Sequence, residues 1–189
     1  MFFENLWRDE DVNKMLKEAE KSPLNRDLIY RVYSSRLIGR IPDLVMHGGG
    51  NTSCKSKAKN LFGEEVDVLC VKGSGWDLGS IEAPGLPAVK LAPLLRLREL
   101  STLSDEDMVN VQRANLVDSS SPNPSIETLL HAFLPHKFID HTHSTPFLSL
   151  ANLPNSESVL KEIFGDKFAI VPYVMPGFDL AKAAAKVYE

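Results

Sequence analysis

The sequence predicts a single α/β or α+β sandwich domain, and three observations lead to this fold class. The chain has 189 residues, a length that suits one domain with a sizeable core. Segments with helical apolar spacing are interleaved with short runs rich in β-branched residues, as in folds that pack helices against a sheet. No stretch is long enough to be an interdomain linker, so residues 1–189 are assigned to one domain.

The chain is predicted to begin with two helices that together cover about residues 10–40. Apolar residues recur there at helical spacing, with charged residues between them. Ser22-Pro23 separates the two helices. Pro42 ends the second one, because a proline disfavours helical backbone at the residue before it.

Two glycine-rich turns are predicted to follow two short strands. Residues 44–47 and 66–71 are short apolar runs, and the second is rich in valine. The first run stops at Gly48-Gly49-Gly50 and the second at residues 72–75. The two loops expose their backbone, and both could face one site.

Helices and strands continue to alternate through the rest of the chain. Ser104 followed by acidic residues is typical of a helix N-terminus, and residues 118–125 have the composition of a loop. Helices are predicted at residues 91–100, from 104 onward, at 126–134, at about 156–164 and at 179–188, and strands at 138–143 and 168–171.

The composition argues against several functional classes. A net charge of −4 does not supply the clustered lysine and arginine that nucleic acids require. The sequence has no apolar run long enough for a membrane span, and its start lacks the pattern of a signal peptide. Cys54 and Cys70 form no disulfide framework and are interpreted as reduced thiols, which favours a cytoplasmic protein.

His141 and His143 form a His-x-His pair in the predicted strand at residues 138–143. Residues i and i+2 of a strand project from the same face, so two imidazoles can reach one metal ion. Imidazole nitrogen suits zinc. The alternative is a pair of surface or hydrogen-bonded histidines at a strand end, and the pair alone does not decide between the two.

Glu127 is the candidate acid/base residue. A carboxylate beside a metal can take a proton from a carbon or oxygen that the metal has made more acidic. Its position at a predicted helix start also fits a simple carboxylate stabilised by the helix dipole. Only its place before the His-x-His strand favours the catalytic interpretation.

The glycine loops are candidate anion sites. Residues 48–53 and 73–75 combine bare backbone N–H groups with hydroxyl and amide side chains, and Ser125 adds a donor at a helix start. Neither loop fits the Walker A or the dinucleotide-binding pattern. Both could also be tight turns without a ligand.

The order of these motifs resembles that of the class II aldolase and adducin family. The motifs are Gly-Asn-Thr-Ser at 50–53, Gly-Ser-Gly at 73–75, Pro-Ser-x-Glu at 124–127 and His-x-His at 141–143. The resemblance covers nearly all of the chain from about residue 28. Residues 45–53, 71–78, 138–143 and 173–180 look like the aldolase portion of bifunctional rhamnulose-1-phosphate aldolase/short-chain alcohol dehydrogenases.

The resemblance implies a three-layer α/β/α sandwich around a mixed, mainly antiparallel sheet. It implies that Glu127 is the acid/base and that His141 and His143 bind Zn²⁺ or another divalent metal. The substrate phosphate would be held by Gly50, Asn51, Ser53, Ser74, Gly75 and Ser125.

The sequence departs from the family pattern at two places. Ile126 stands where the family has a second serine, which removes one hydroxyl donor. The family's third metal histidine lies in a His-Gly segment, and no histidine follows His143 here. None of His47, His131, His136 and Asp140 is a convincing replacement. The expectation is therefore an incomplete metal site, either because the chain is a C-terminally incomplete portion of a longer protein, which would leave an exposed sheet edge, or because it is a form with an impaired site.

The implied function is metal-dependent retro-aldol cleavage of a ketose 1-phosphate in the cytoplasm, as part of rhamnose metabolism. Rhamnulose 1-phosphate would give dihydroxyacetone phosphate and lactaldehyde. The alternatives are a sugar-phosphate epimerase or dehydratase on the same scaffold, or a non-catalytic, adducin-like interaction domain. The expected partner is a small sugar phosphate, with no nucleic acid or membrane, and the resemblance implies a homotetramer.

Overall fold

The computed structural model describes residues 4–19, 25–60 and 62–189. Two helices come first, α1 (Asp9–Glu18) and α2 (Arg26–Gly39), which confirms the helical prediction for this part of the chain. Helix α2 begins after Asn25, whose side chain accepts a hydrogen bond from the backbone N–H of Asp27. The Ser22-Pro23 boundary lies outside the described residues.

The sheet of the described residues has four strands in the order β3-β2-β1-β4, and each neighbouring pair is antiparallel. The strands are β1 (Asn51–Lys59), β2 (Glu65–Val71), β3 (Ala88–Lys90) and β4 (Phe138–His141). The register places Asn51 opposite His141 and Ser53 opposite Val71. The end of β2, the start of β1 and the end of β4 therefore meet at one end of the sheet.

Six further helices complete the described chain. They are α3 (Leu91–Arg96), α4 (Asp105–Ala114), α5 (Thr128–Phe133), α6 (Thr145–Ala151), α7 (Ser156–Phe164) and α8 (Phe178–Tyr188). Short 3₁₀ turns lie at Leu78–Ser80, Ala83–Gly85 and Leu97–Glu99. None of the helices in the described ranges has both the length and the apolar character needed to cross a bilayer.

Helices cover both faces of the sheet, because successive residues of β2 point to opposite sides. Val68 and Cys70 join a core cluster with Val32 of α2. Leu69 and Val71 join a second cluster, to which α3, α4, α5 and α8 contribute apolar side chains. The sheet and the helices packed on its two faces form the three layers that the resemblance implied.

Two predicted strands are wrong. Residues 44–47 form turns, because His47 and Gly48 have φ values of 48° and 78°, which turn the chain away from an extended path. The strand instead begins after the glycine loop, at Asn51. Residues 168–171 are not part of the sheet, and the helix α6, which was not predicted, occupies the chain after β4.

Two predicted boundaries shift at the site. β4 ends at His141 rather than at residue 143, because the N–H of His143 donates to the carbonyl of Leu44 instead of to a strand. Helix α5 begins at Thr128 rather than at residue 126, and Glu127 occupies its N-cap position.

Candidate functional site

A cleft of about 450 Å³ lies at the end of the sheet where β1, β2 and β4 meet. Its walls are the two glycine loops, the start of α5 and the chain that leaves β4. The cleft brings together most of the residues that the sequence marked as functional. Those that line it are Gly50, Asn51, Ser74, Gly75, Ser125, Glu127, His141 and His143.

The first loop needs glycine because it passes close to β4. Gly50 has a φ of 65°, and a Cβ atom there would lie 2.6 Å from the carbonyl oxygen of His141. A Cβ atom at Gly49 would lie 3.2 Å from Nδ1 of His143. Both glycines thus allow the loop backbone to approach the histidine pair.

Asp77 joins the two glycine loops. Its carboxylate accepts hydrogen bonds from the backbone N–H of Gly48 at 3.1 Å and of Gly79 at 2.7 Å. Asp77 thus holds the first loop against the turn that follows the second loop. Trp76 beside it packs on Gly85, where a Cβ atom would lie 2.6 Å from the indole ring.

Glu127 is held by polar neighbours at the N-terminus of α5. Oε2 accepts a hydrogen bond from Nδ2 of Asn51 at 2.5 Å, and the backbone N–H of Glu127 donates to Oγ of Ser125 at 3.2 Å. Burial raises the pKa of this carboxyl group, but the proximity of His141 and Asn51 more than offsets it. The net pKa of Glu127 therefore lies below its ordinary value, which favours the carboxylate.

His141 and His143 face the cleft together although only His141 belongs to a strand. Their ring centroids are 4.9 Å apart at an interplanar angle of 62°. The predicted i, i+2 arrangement on one strand is wrong, because β4 ends at His141. The hydrogen bond from the His143 N–H to the carbonyl of Leu44 returns the second imidazole to the cleft instead.

Nδ1 of His141 has an unusual environment. Nδ1 of His141 lies 2.8 Å from Oε2 of Glu127, yet it is buried and not aligned for a hydrogen bond with any described residue. An imidazole nitrogen without a hydrogen-bond partner beside a carboxylate has the donor chemistry that a divalent metal takes. Among the described residues, however, no three His, Cys, Asp or Glu side chains are arranged to hold one metal ion.

The other candidate ligands lie elsewhere. His47 and His136 are exposed and do not line the cleft, and Asp140 points away to an ion pair with the buried Arg31 at 2.6 Å. His131 is a fully buried residue of α5, and burial lowers its pKa to about 3 and keeps the ring neutral.

Ser53 is the one predicted phosphate residue that the structure does not bring to the cleft. It is fully buried, and its hydroxyl group lies 2.8 Å from Nδ1 of His131. Ser53 shares a strand face with Asn51, as the i, i+2 rule requires, but α5 covers this part of the face. The structure therefore shows a buried hydrogen bond between Ser53 and His131 in place of the implied ligand contact.

Lys72 is the lining residue that the sequence analysis missed. It follows β2, is only 7% exposed, and donates a hydrogen bond from Nζ to the carbonyl of Gly48 at 2.9 Å. A lysine that directly follows a buried strand and precedes a glycine turn could have drawn attention to this position.

This fold and site define a class of domains: three-layer α/β sandwiches with a polar cleft at the end of an antiparallel sheet. The chain belongs to the family described as class II aldolase and adducin N-terminal domain, whose model matches residues 32–189. The family resemblance inferred from the motif order is thereby confirmed.

Two known proteins are similar to the chain. It is 40% identical over 182 residues to "Uncharacterized oxidoreductase YuxG" of Bacillus subtilis (strain 168), with 96% of this chain covered. The chain spans only 25% of that relative's length. The solved structure of the N-terminal class II aldolase domain of a conserved protein from Thermoplasma acidophilum matches with a TM-score of 0.85 and 36% identity. The match covers 100% of this chain and 82% of that one.

Proposed function

We propose that the cleft carries out a metal-assisted retro-aldol cleavage of a ketose 1-phosphate. Rhamnulose 1-phosphate is the first substrate to test, with dihydroxyacetone phosphate and lactaldehyde as products. The observation that carries the proposal is the convergence of Glu127, His141 and His143 with both glycine loops on one cleft. Membership of the aldolase family supports it.

The two imidazoles, His141 and His143, would hold the metal. When bound, a divalent metal supplies Lewis acidity that polarises a carbonyl group and favours negative charge on the carbon beside it. Nδ1 of His141, which lies 2.8 Å from Oε2 of Glu127 without an aligned hydrogen bond, supports this assignment. Because open metal sites usually have three protein ligands, a pair should bind the metal more weakly than a complete site.

Glu127 would move the proton that the reaction needs. When the C3–C4 bond of the ketose breaks, its electron pair stays on C3, and the C4 hydroxyl group loses its proton as the aldehyde forms. C3 then takes up a proton. A carboxylate with a lowered pKa, oriented by Asn51, is ionised at neutral pH and can accept and return a proton beside C3.

The glycine loops and Ser125 would hold the phosphate. Ser74 and Gly75 are exposed to the cleft, and Ser125 presents its hydroxyl group at the start of α5. Binding energy from a phosphate remote from C3–C4 can orient the reacting bond. In this proposal the bound phosphate therefore positions the substrate in the cleft.

Cleavage is tested by coupled detection of dihydroxyacetone phosphate with the full chain and added Zn²⁺. Glu127→Gln should lower kcat by about 10²- to 10⁴-fold, since it removes the proton-transfer group at nearly unchanged size. Glu157→Gln, which changes an exposed carboxylate in the first turn of α7, is the matched control and should retain activity.

Metal binding gives a second readout. Atomic spectroscopy after dialysis against Zn²⁺ should show metal in the wild-type chain and a clear loss in the double variant His141→Ala/His143→Ala. The proposal fails if the metal-loaded chain releases no dihydroxyacetone phosphate from any ketose 1-phosphate. Product analysis that finds an epimer or a dehydrated sugar phosphate would replace it with the corresponding activity.

A further inference from the structure

One face of β1 carries three polar side chains that contact α5 or the residues beside it. Asn51, Ser53 and Lys55 occupy alternate positions of the strand, so they project from the same side of the sheet. Nδ2 of Asn51 donates to Oε2 of Glu127 at the start of the helix. The hydroxyl group of Ser53 lies 2.8 Å from Nδ1 of His131 within the helix. Lys55 comes next along this face and reaches the end of the helix.

Lys55 provides hydrogen bonds that the end of α5 lacks. The carbonyl group of His131 would normally accept from the N–H four residues later, but Pro135 has no N–H. Nζ of Lys55 donates to this carbonyl at 2.9 Å. It also donates to the carbonyls of Leu134 at 2.5 Å and His136 at 2.9 Å. All three N–H groups of the ammonium are thus used at the C-terminal end of α5.

The ammonium group of Lys55 has no other polar contact that would explain its position. Within residues 4–19, 25–60 and 62–189 it forms no ion pair with a carboxylate, and Lys55 does not line the cleft. Burial lowers the pKa of Lys55 to about 8, so the side chain is still mainly protonated at pH 7. A charged lysine whose donors all reach the end of one helix serves to hold that helix.

The chain before α5 is held separately. The backbone N–H of Ser74 donates to the carbonyl of Asn123 at 2.8 Å, and the N–H of Ser125 donates to the carbonyl of Lys72 at 3.1 Å. These bonds attach the residues before the helix to the second glycine loop. Loss of the contact at the other end of α5 should therefore displace Glu127 more than it displaces Ser125.

We propose that Lys55 is a positioning residue for Glu127. By holding the C-terminal end of α5 against β1, its ammonium group sets the orientation of the helix that brings the carboxylate to Asn51 and the cleft. The role of Glu127 in proton transfer rests on the proposed function, whereas its placement by Lys55 does not. Placement matters for rate, because a displacement of about 1 Å can lower catalysis by about 10²-fold.

Three variants separate this role from a general effect on the strand. Lys55→Met removes the charge and the donors but keeps an unbranched side chain, and Lys55→Arg keeps the charge and donors and should restore the wild-type behaviour. Lys57→Met is the matched control. Lys57 lies two residues further on the same face of β1, but its ammonium group pairs with the exposed carboxylates of Glu65 and Asp67.

The first test requires no turnover and uses nuclear magnetic resonance of the full chain. The side-chain amide of Asn51 donates to a carboxylate, so its proton signals report whether Glu127 is in place. In Lys55→Met these signals should move toward those of a solvent-exposed asparagine, and amide hydrogen exchange in α5 should become about 10-fold faster. Lys55→Arg and Lys57→Met should match the wild type.

The second test is steady-state kinetics with a ketose 1-phosphate and added Zn²⁺. Lys55→Met should lower kcat about 10- to 100-fold with little change in KM, because the proton-transfer group moves while the residues before α5 stay attached to the second glycine loop. A purely structural role would lower the midpoint of urea unfolding, but it would leave kcat per folded molecule and the Asn51 signals unchanged. Lys55→Gln, which keeps N–H donors without the charge, should show the same changes to a smaller extent and serves if Lys55→Met does not fold.

The inference is overturned if the Asn51 signals are the same in Lys55→Met as in the wild type, or if Lys57→Met changes them equally. Its failure is separable from that of the proposed function. Asn51 signals that depend on Lys55, in a chain that cleaves no ketose 1-phosphate, support the positioning role and reject the aldolase proposal. Cleavage with an unchanged kcat in Lys55→Met does the reverse.

Discussion

The end of the sheet that carries the cleft and the segment of residues 144–177 are packed very differently. The first four residues of β1 and the last four of β2 are all buried. Leu160 is the only buried large hydrophobic residue of the 144–177 segment, and no residue of the segment belongs to either core cluster. Its exposed apolar side chains include Phe147, Leu148, Leu153, Ile163, Ile170, Tyr173 and Met175.

This difference indicates where the site obtains its geometry. Glu127, Asn51 and His141 are placed by β1, β4 and α5, which belong to the well-packed part. His143 lies at the boundary between the two regions and is held to the packed part by its hydrogen bond to Leu44. Changes in the packed part should therefore affect both stability and the site, whereas changes in residues 144–177 should affect stability little.

The largest expected effect is the loss of stability at acid pH through His131. Its pKa is about 3 in the folded chain and 6.5 ordinarily, so the unfolded chain binds more protons between these values. Stability should be unaffected by this residue above about pH 7 and should fall by about 3 kcal/mol as the pH decreases to about 4. Urea unfolding across this pH range measures the loss.

His131→Gln removes the titrating ring and should flatten this pH dependence, whatever it does to stability at neutral pH. His136→Gln, which changes an exposed histidine, is the control and should keep the wild-type slope. Equal slopes in the wild type and in His131→Gln would show that the buried ring is not the source.

The next effect compares two leucines. Leu69→Ala empties part of the core between β2 and its covering helices and should reduce the free energy of unfolding by about 3 kcal/mol. Leu148→Ala in α6, where the side chain is 43% exposed, should cost less than about 1 kcal/mol. Urea unfolding of both variants at pH 7 gives the difference. A similar cost for both would contradict the packing contrast.

The smallest effect compares two glycines with positive φ. Gly50→Ala forces a Cβ atom against His141 and Val45 as well as an unfavourable φ, and should cost about 2–3 kcal/mol. Gly165→Ala has nothing within 4 Å of the new atom and should show the backbone penalty alone, about 1–2 kcal/mol. Thermal unfolding measures both costs. If the two variants lose the same stability, the close approach of the glycine loop to β4 is not what requires Gly50.

The sequence predicted the fold class but missed the strand that matters most to the site. β1 begins with Asn51, Thr52 and Ser53, which are polar yet buried, and continues with lysines at alternate positions. Hydrophobic periodicity cannot find such a strand, because the side chains of these three buried residues form hydrogen bonds and are not apolar. Residues 168–171 show the opposite error. Their apolar run was predicted to be a strand, but it does not pair with any strand of the sheet.

Local sequence features alone determined where the turns lie and which types of residue are available for the site. Glycine where φ is positive, Asn25 and Ser104 at helix starts, and alternation along β2 all follow from neighbouring residues. Their order along the chain was enough to indicate the family. These features act within a few residues, so a single sequence displays them.

Only the tertiary structure decided which side chains reach the cleft. α5 covers Ser53, a hydrogen bond to Leu44 returns His143 to the site, and the glycine loop buries Lys72. Each outcome depends on contacts between residues that are distant in sequence. The physical reason is that burial and charge pairing are set by the elements packed around a residue, which its own local pattern does not specify.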